Sequence, residues 1–207
     1  MIQPSESLKH SSTLVLFDFD GTVTRKDSLF DFIIFYRGRI PFYWGMLWLS
    51  PAMVLFKLGI IPNWKAKEKV LSYFFAGESV QAFQDKSQAY ARQRLPSIIK
   101  ESALDKIREF QTEGADIYVV SASAENWLIG WCESLGIQLI ATQLEVREAK
   151  LTGKIAGSNC YGPEKAVRIQ GCIDLSQYDK IYGYGDSRGD REMLALAHFP
   201  HYRYFKQ

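Results

Sequence analysis

Two aspartates one residue apart, Asp18 and Asp20, follow the apolar run Leu14-Val-Leu-Phe17. Two more, Asp186 and Asp190, follow Lys180-Ile-Tyr-Gly-Tyr-Gly185. Aspartate is a poor strand former and a poor core residue, so acidic pairs at the ends of apolar runs call for a chemical reason. Strand side chains alternate between faces, so Asp18 and Asp20 can share a site only if the backbone bends after Asp18. Gly21 makes that bend cheap. Taken alone, the stretch also reads as a solvated turn with a helix cap. If the two acidic strand ends meet, their charges repel, and some carboxyls hold protons at neutral pH. A hard divalent cation with oxygen ligands resolves that conflict.

Two further residues stand at informative places. Ser121 closes the run Ile117-Tyr-Val-Val120, and Lys165 follows Gly162-Pro-Glu in the first turn of an expected helix. Singly, Ser121 or Ser123 reads equally as a helix N-cap, and Lys165 as a solvated helix lysine. Together, DxDGT at 18–22, Ser121, Lys165 and the GDxxxD acidic pair at 186 and 190 resemble the four motifs of the haloacid dehalogenase superfamily of phosphotransferases, in order and over nearly the whole chain. The phosphoserine-phosphatase-like branch, subfamily IB, is the part of it that the chain resembles.

That resemblance implies a Rossmann-like α/β core with a parallel sheet and an inserted all-helical C1-type cap. It also implies a Mg²⁺-dependent phosphatase for a small phosphorylated substrate. Asp18 would attack phosphorus and form an aspartyl-phosphate, and Asp20 would act as general acid and base. Ser121 and Lys165 would bind phosphoryl oxygens, Lys165 also restraining the nucleophile. Mg²⁺ would be held by Asp18, the backbone carbonyl of Asp20, and Asp186, with Asp190, Gly21 and Thr22 in support. Phosphoserine phosphatases usually read DxDST, where this chain has Gly21. Their amine-binding glutamate corresponds to Asp27, one methylene shorter, which reads equally as a cap for the next helix. Gly189 replaces an asparagine common in that branch. The pattern therefore looks more like the broader subfamily, which includes a phosphatidylglycerophosphate phosphatase. A lipid phosphate substrate stays open, as does a phosphate-accepting or binding module without turnover.

The chain must position these residues with 207 amino acids, 47% of them apolar and 23% charged, enough for one domain carrying a smaller insert. A net charge of +2 gives no nucleic-acid surface. Cys132, Cys160 and Cys172 form no CxxC pair, so neither a disulfide framework nor a zinc site is indicated, and the default location is cytoplasmic. His10, His198 and His201 have no metal-binding spacing. The segment from Met1 to Ser12 is polar and lacks a secretory apolar stretch.

Residues 27–95 read as a helical block set between the first strand and the rest, leaving 1–26 and 96–207 as the core. Within the block, Ile40 to Phe56 is free of charge and interrupted by Gly45 and Pro51. Three readings compete there: a buried helical hairpin first, then an interfacial membrane-contacting segment, then a true span. The flanking Arg37, Arg39, Lys57, Lys65 and Lys67 suit an anionic lipid surface or solvated helix ends. After Pro96, helices ending at Gly114 and Gly136 feed apolar runs, the βαβ signature of a parallel sheet. A hairpin over 144–155 is expected to turn at Thr152-Gly153. Trp127 and Trp131, one turn apart, are expected in the core.

Overall fold

A computed structural model describes residues 12–205. The reading of the N-terminal segment and His10 fall on residues 1–11, outside those described. The centre is β1 (Thr13–Phe17), in which Leu14 to Phe17 are all fully buried. Val15 and Phe17 enter one apolar cluster and Leu14 and Leu16 another, so the strand is covered on both faces. That is why its sequence is a continuous apolar run. On one side β1 pairs with β2 (Asp116–Ala124), followed by β3 (Gln138–Arg147) and β4 (Lys150–Ala156). On the other it pairs with β5 (Lys180–Gly185) and then β6 (Phe199–Tyr202). All pairs are parallel except β3 with β4. The carboxyl ends of β2 and β5 therefore flank that of β1, where doubly wound sheets hold ligands.

Helices α1 (Ser28–Arg37), α2 (Arg39–Lys57), α3 (Asn63–Phe75) and α4 (Val80–Gln93) lie between β1 and β2, followed by α5 (Glu101–Thr112). Further on come α6 (Glu125–Leu135), α7 (Pro163–Cys172) and the short α8 (Arg191–Leu194). Aromatic rings join the inserted helices to the core. Phe32 of α1 stacks on Trp127 of α6 at 4.9 Å and meets Phe75, Phe83 and Tyr90 edge-on or tilted. Trp127 and Trp131 are buried, as their spacing predicts.

Two expectations are corrected. Residues 40–56 form no hairpin: they lie in the single helix α2, of which only Phe42, Gly45 and Leu49 are buried. Nor does any described helix have the length and apolarity to cross a membrane. Pro51 fails to break α2 because Ser50 repairs its defect. The Leu47 carbonyl, which a proline four residues on cannot satisfy, accepts a hydrogen bond from the Ser50 hydroxyl at 2.7 Å. The hairpin of β3 and β4 turns at Glu148-Ala149, both at positive φ, rather than at Thr152-Gly153. Gly153 is needed for another reason: a Cβ there would stand 2.3 Å from the Ser72 backbone of α3.

That contact belongs to a seam between the inserted helices and the hairpin. Gly77 N–H donates to the Leu151 carbonyl, Leu151 N–H to Glu78 and Val80 N–H to Ala149. Ile155 N–H donates to the Glu68 carboxylate and the Ser72 hydroxyl to the Gly153 carbonyl.

Candidate active site

The backbone leaves the sheet after Asp18 as expected. Asp20 is extended (φ −74°, ψ 119°) and Gly21 takes φ +86°. The five-residue loop closes when Thr24 N–H donates to the Phe19 carbonyl. A Cβ at position 21 would lie 2.2 Å from Asp186 Oδ2, so the glycine serves the bend and also makes room for the facing carboxylate.

Asp18 is buried. Its Oδ1 accepts a 2.6 Å bond from Lys165 Nζ and its Oδ2 a 2.9 Å bond from the Thr22 hydroxyl. Carboxylate oxygens of Asp18, Asp186 and Asp190 lie within 4.8 Å of one another. The distant acidic strand ends thus meet. Three carboxylates face one ammonium, leaving a formal charge of −2 in a largely dry place. Burial first, opposed by Lys165 and aided by Asp190, lifts Asp18 to about 7. Burial and then Asp190 also raise Asp186. Burial acting alone lowers the pKa of Lys165, but Asp18 and Asp190 hold it protonated above its ordinary value.

Each group has a distinct job. Lys165 Nζ spends its three protons on Asp18, Asp190 Oδ1 (2.7 Å) and the Val120 carbonyl (2.7 Å). It therefore orients the Asp18 carboxylate, and donating to any further acceptor requires giving up one of these bonds. Asp190 is committed on both oxygens, the second accepting from the backbone of Asp186 and from the Ser187 N–H and hydroxyl. Burial works against its ionisation, but Lys165 and Ser187 hold its pKa below the ordinary value. The Asp186 carboxylate, half-buried, accepts no hydrogen bond from the described residues. A cation needs such an oxygen donor, and the gathered carboxylates outnumber the one ammonium bonded to them. The donor set fits Mg²⁺ through Asp18 and Asp186, with Asp190 bracing.

Asp20 receives the Ser28 N–H at 2.6 Å and the Ser123 hydroxyl at 2.6 Å. Ser121 is buried and its hydroxyl accepts from Ser123 N–H; Ser123 lines the cavity and Ser121 is not among its lining residues. Asp27 caps α1 by accepting from Phe30 N–H at 3.1 Å and also lines the cavity, so its two readings are compatible. The cavity holds about 220 Å³ and is lined by Asp18, Asp20, Lys165 and Asp190 among others.

Lys67 was missed. Its sequence position suits a lipid surface or a solvated helix end, but it points from α3 into this cavity instead. It donates to the Ala122 carbonyl at 2.8 Å and to Asn159 Oδ1 at 3.1 Å. Burial lowers its pKa, partly offset by Asp20 and Asp27. Its helical phase was the available signal: Lys67 precedes Val70, Leu71, Phe74 and Phe75 on the buried stripe of α3. Asn159 and Tyr161, from the loop after β4, carried no comparable sequence signal.

A family model for haloacid dehalogenase-like hydrolases matches residues 15–195. Protein CicA of Caulobacter vibrioides is 31% identical over 199 residues, covering 95% of this chain and 88% of its own. A protein of unknown function from Bordetella pertussis Tohama I superposes with a TM-score of 0.77 at 24% identity, over 90% of this chain and 87% of its own. A phospho-aspartyl intermediate analogue of phosphoserine phosphatase superposes at 0.63 with 19% identity, over 90% and 84%. These two likenesses concern the fold. Given the length of the family match and the identity with the Caulobacter relative, this chain belongs to the haloacid dehalogenase-like hydrolases.

Proposed function

We propose that the protein is a Mg²⁺-dependent phosphatase that hydrolyses a phosphate monoester through an aspartyl-phosphate on Asp18. The observation that carries this reading is the placement of the Asp18 carboxylate, fixed on both oxygens by Lys165 and Thr22 and gathered with Asp186 and Asp190. An Asp18 oxygen forms a bond to phosphorus as the ester oxygen leaves, and Asp20 gives that alkoxide a proton. Asp20 then takes a proton from water, whose oxygen attacks phosphorus, releasing phosphate and restoring the Asp18 carboxylate. The Ser28 N–H and Ser123 hydroxyl hold Asp20 in one orientation for both transfers. Mg²⁺ would supply charge compensation for the carboxylates and the phosphoryl group, with Asp18, Asp186 and the Asp20 carbonyl as its protein ligands. Free cysteines suit a reducing, cytoplasmic setting.

A volume near 220 Å³ takes a phosphoryl group and a few more atoms, with Lys67 and Asp27 as polar contacts for a small leaving group. A lipid phosphate is the second reading. It is favoured by an adjoining cleft of about 610 Å³, lined by Pro62, Trp64 and Ile155, that shares Asn63 and Tyr161 with the catalytic cavity. The test is p-nitrophenyl phosphate hydrolysis. We expect turnover with Mg²⁺, none with EDTA, and a fall on the order of 10³-fold or more in Asp18→Asn. Undiminished activity in that variant refutes the nucleophile assignment. A panel of phosphorylated metabolites and lysophospholipid phosphates then ranks the two substrate classes.

A further inference from the structure

The inserted helices carry a surface that the catalytic reading does not use. Along α2, Ile40, Tyr43, Trp44, Leu47 and Trp48 are each between 63% and 77% exposed. Their spacing of three and four places them on one helical stripe, opposite the buried Phe42, Gly45 and Leu49. Leu55, Leu58, Ile60 and Trp64 extend the exposed apolar area around the turn into α3. Isolated exposed apolar residues are ordinary, but a contiguous aromatic stripe of this kind marks an interaction surface.

Charge identifies the partner. From Phe32 to Lys67 the sequence contains no aspartate or glutamate. Of the cations around the stripe, Arg37 is tied to Glu78 and Lys67 is turned into the catalytic cavity. Arg39, Lys57, Lys65 and Lys69 are exposed around the apolar area. A second copy of this chain packed stripe to stripe would bring those like charges together. An anionic bilayer matches both features, since Trp and Tyr favour the headgroup boundary and lysine and arginine favour acidic lipid. The Ser50 hydroxyl on the Leu47 carbonyl removes the one backbone acceptor that Pro51 would leave bare on entering an apolar medium.

We infer that the outer face of α2 docks this protein on an anionic phospholipid membrane, lying in the headgroup plane without crossing it. The orientation has a use. A cleft of about 720 Å³ runs from Trp48 and Pro51 to Trp64 and Glu68, where the cleft beside the catalytic cavity begins. Successive hollows with shared walls, Trp64 and Glu68 and then Asn63 and Tyr161, thus lie between the docking face and Asp18. That an amphiphilic phosphate ester follows this path rests on the phosphatase reading; the docking itself does not.

The test is co-sedimentation of the full chain with vesicles of phosphatidylcholine alone or with a third phosphatidylglycerol. We expect pelleting only with the anionic vesicles and release at high salt. Trp44→Ser/Trp48→Ser should cut the bound fraction on the order of tenfold. Lys57→Gln/Lys65→Gln should weaken binding to anionic vesicles by about fivefold per charge. Circular dichroism and p-nitrophenyl phosphate turnover should be unchanged in both variants. Asp18→Asn should bind vesicles like the wild type even if phosphatase activity is never found, which separates this inference from the catalytic one. Wild-type protein left in the supernatant overturns the inference, as does equal binding to neutral vesicles. So does a dimer in light scattering that the tryptophan substitutions dissolve while vesicle binding is absent.

Discussion

Two regions of this molecule invert the usual sorting of side chains in opposite directions. At the carboxyl edge of the sheet, Asp18, Asp190 and Lys165 are buried, and the lysine is bonded to both carboxylates. On the outer face of α2, two tryptophans, a tyrosine, a leucine and an isoleucine stand in solvent. Stability explains neither. A buried ion cluster is often no more stabilising than an apolar one of equal volume, and an exposed tryptophan gains nothing from folding. The buried cluster is closed, with almost every polar atom satisfied from within. The exposed stripe is open, and its completion lies outside the chain. The first has the character of a reaction centre and the second that of a contact.

Substitutions sharpen the contrast. The largest effect is expected at Asp186, whose open carboxylate stands beside the closed cluster. Asp186→Asn should reduce Mg²⁺-dependent phosphatase activity on the order of 10³-fold, and titration calorimetry should find Mg²⁺ affinity weakened in parallel. Phe32→Ala, beneath the cluster's helical roof, should cost about 3–5 kcal/mol in denaturant unfolding. A loss below 1 kcal/mol would show that the aromatic junction with Trp127 does not hold the two parts together.

The next effect is a pH dependence. Asp18 is raised to about 7 in the folded ion-free protein from an ordinary value of 3.8, so the native state binds this proton more tightly than the unfolded chain. The resulting stability is complete below the lower value and is lost as pH rises toward 7. Melting curves in EDTA should fall over that window, and Asp18→Asn should lack that component. An unchanged slope in the variant would assign the effect to other groups. Lys67→Met should act more mildly, raising KM about tenfold with little change in kcat if its charge meets the substrate. Smallest of all, Trp48→Ser should move unfolding free energy by less than about 0.5 kcal/mol, since the side chain is 77% exposed. A larger loss would mean that the stripe serves the fold and would break the comparison.

The meeting of the acidic strand ends was legible because its signals are local and rest on backbone necessity. Aspartates after β1 and β5 announce a strand's end, and Gly21 announces the bend that follows β1. The parallel sheet was legible from helix and strand alternation after Pro96. The fate of residues 40–56 was not, because an uncharged run looks the same buried in a bundle or facing outward. Only the packing of Phe42, Gly45 and Leu49 shows which side is inside. The hairpin turn was misplaced because Glu148 and Ala149 adopt positive φ, which neither residue type favours, while the nearby glycine answers to Ser72. Lys67 was misread because a lysine in a helix defaults to solvent unless its phase is set against the buried stripe.

The stitches between the inserted helices and the β3–β4 hairpin constrain how the mouth of the cavity widens. Backbone groups at Gly77, Glu78 and Val80 are engaged with Leu151 and Ala149, and Glu68 of α3 grips Ile155. The helices therefore cannot lift alone: either these bonds open, or the hairpin swings with them as a single lever. Tyr161 hangs from the root of that hairpin and Asn159 accepts from Lys67, so the swing would withdraw one cavity wall together with the partner of the Lys67 ceiling. Admission of substrate and dismantling of its surroundings then become the same mechanical event.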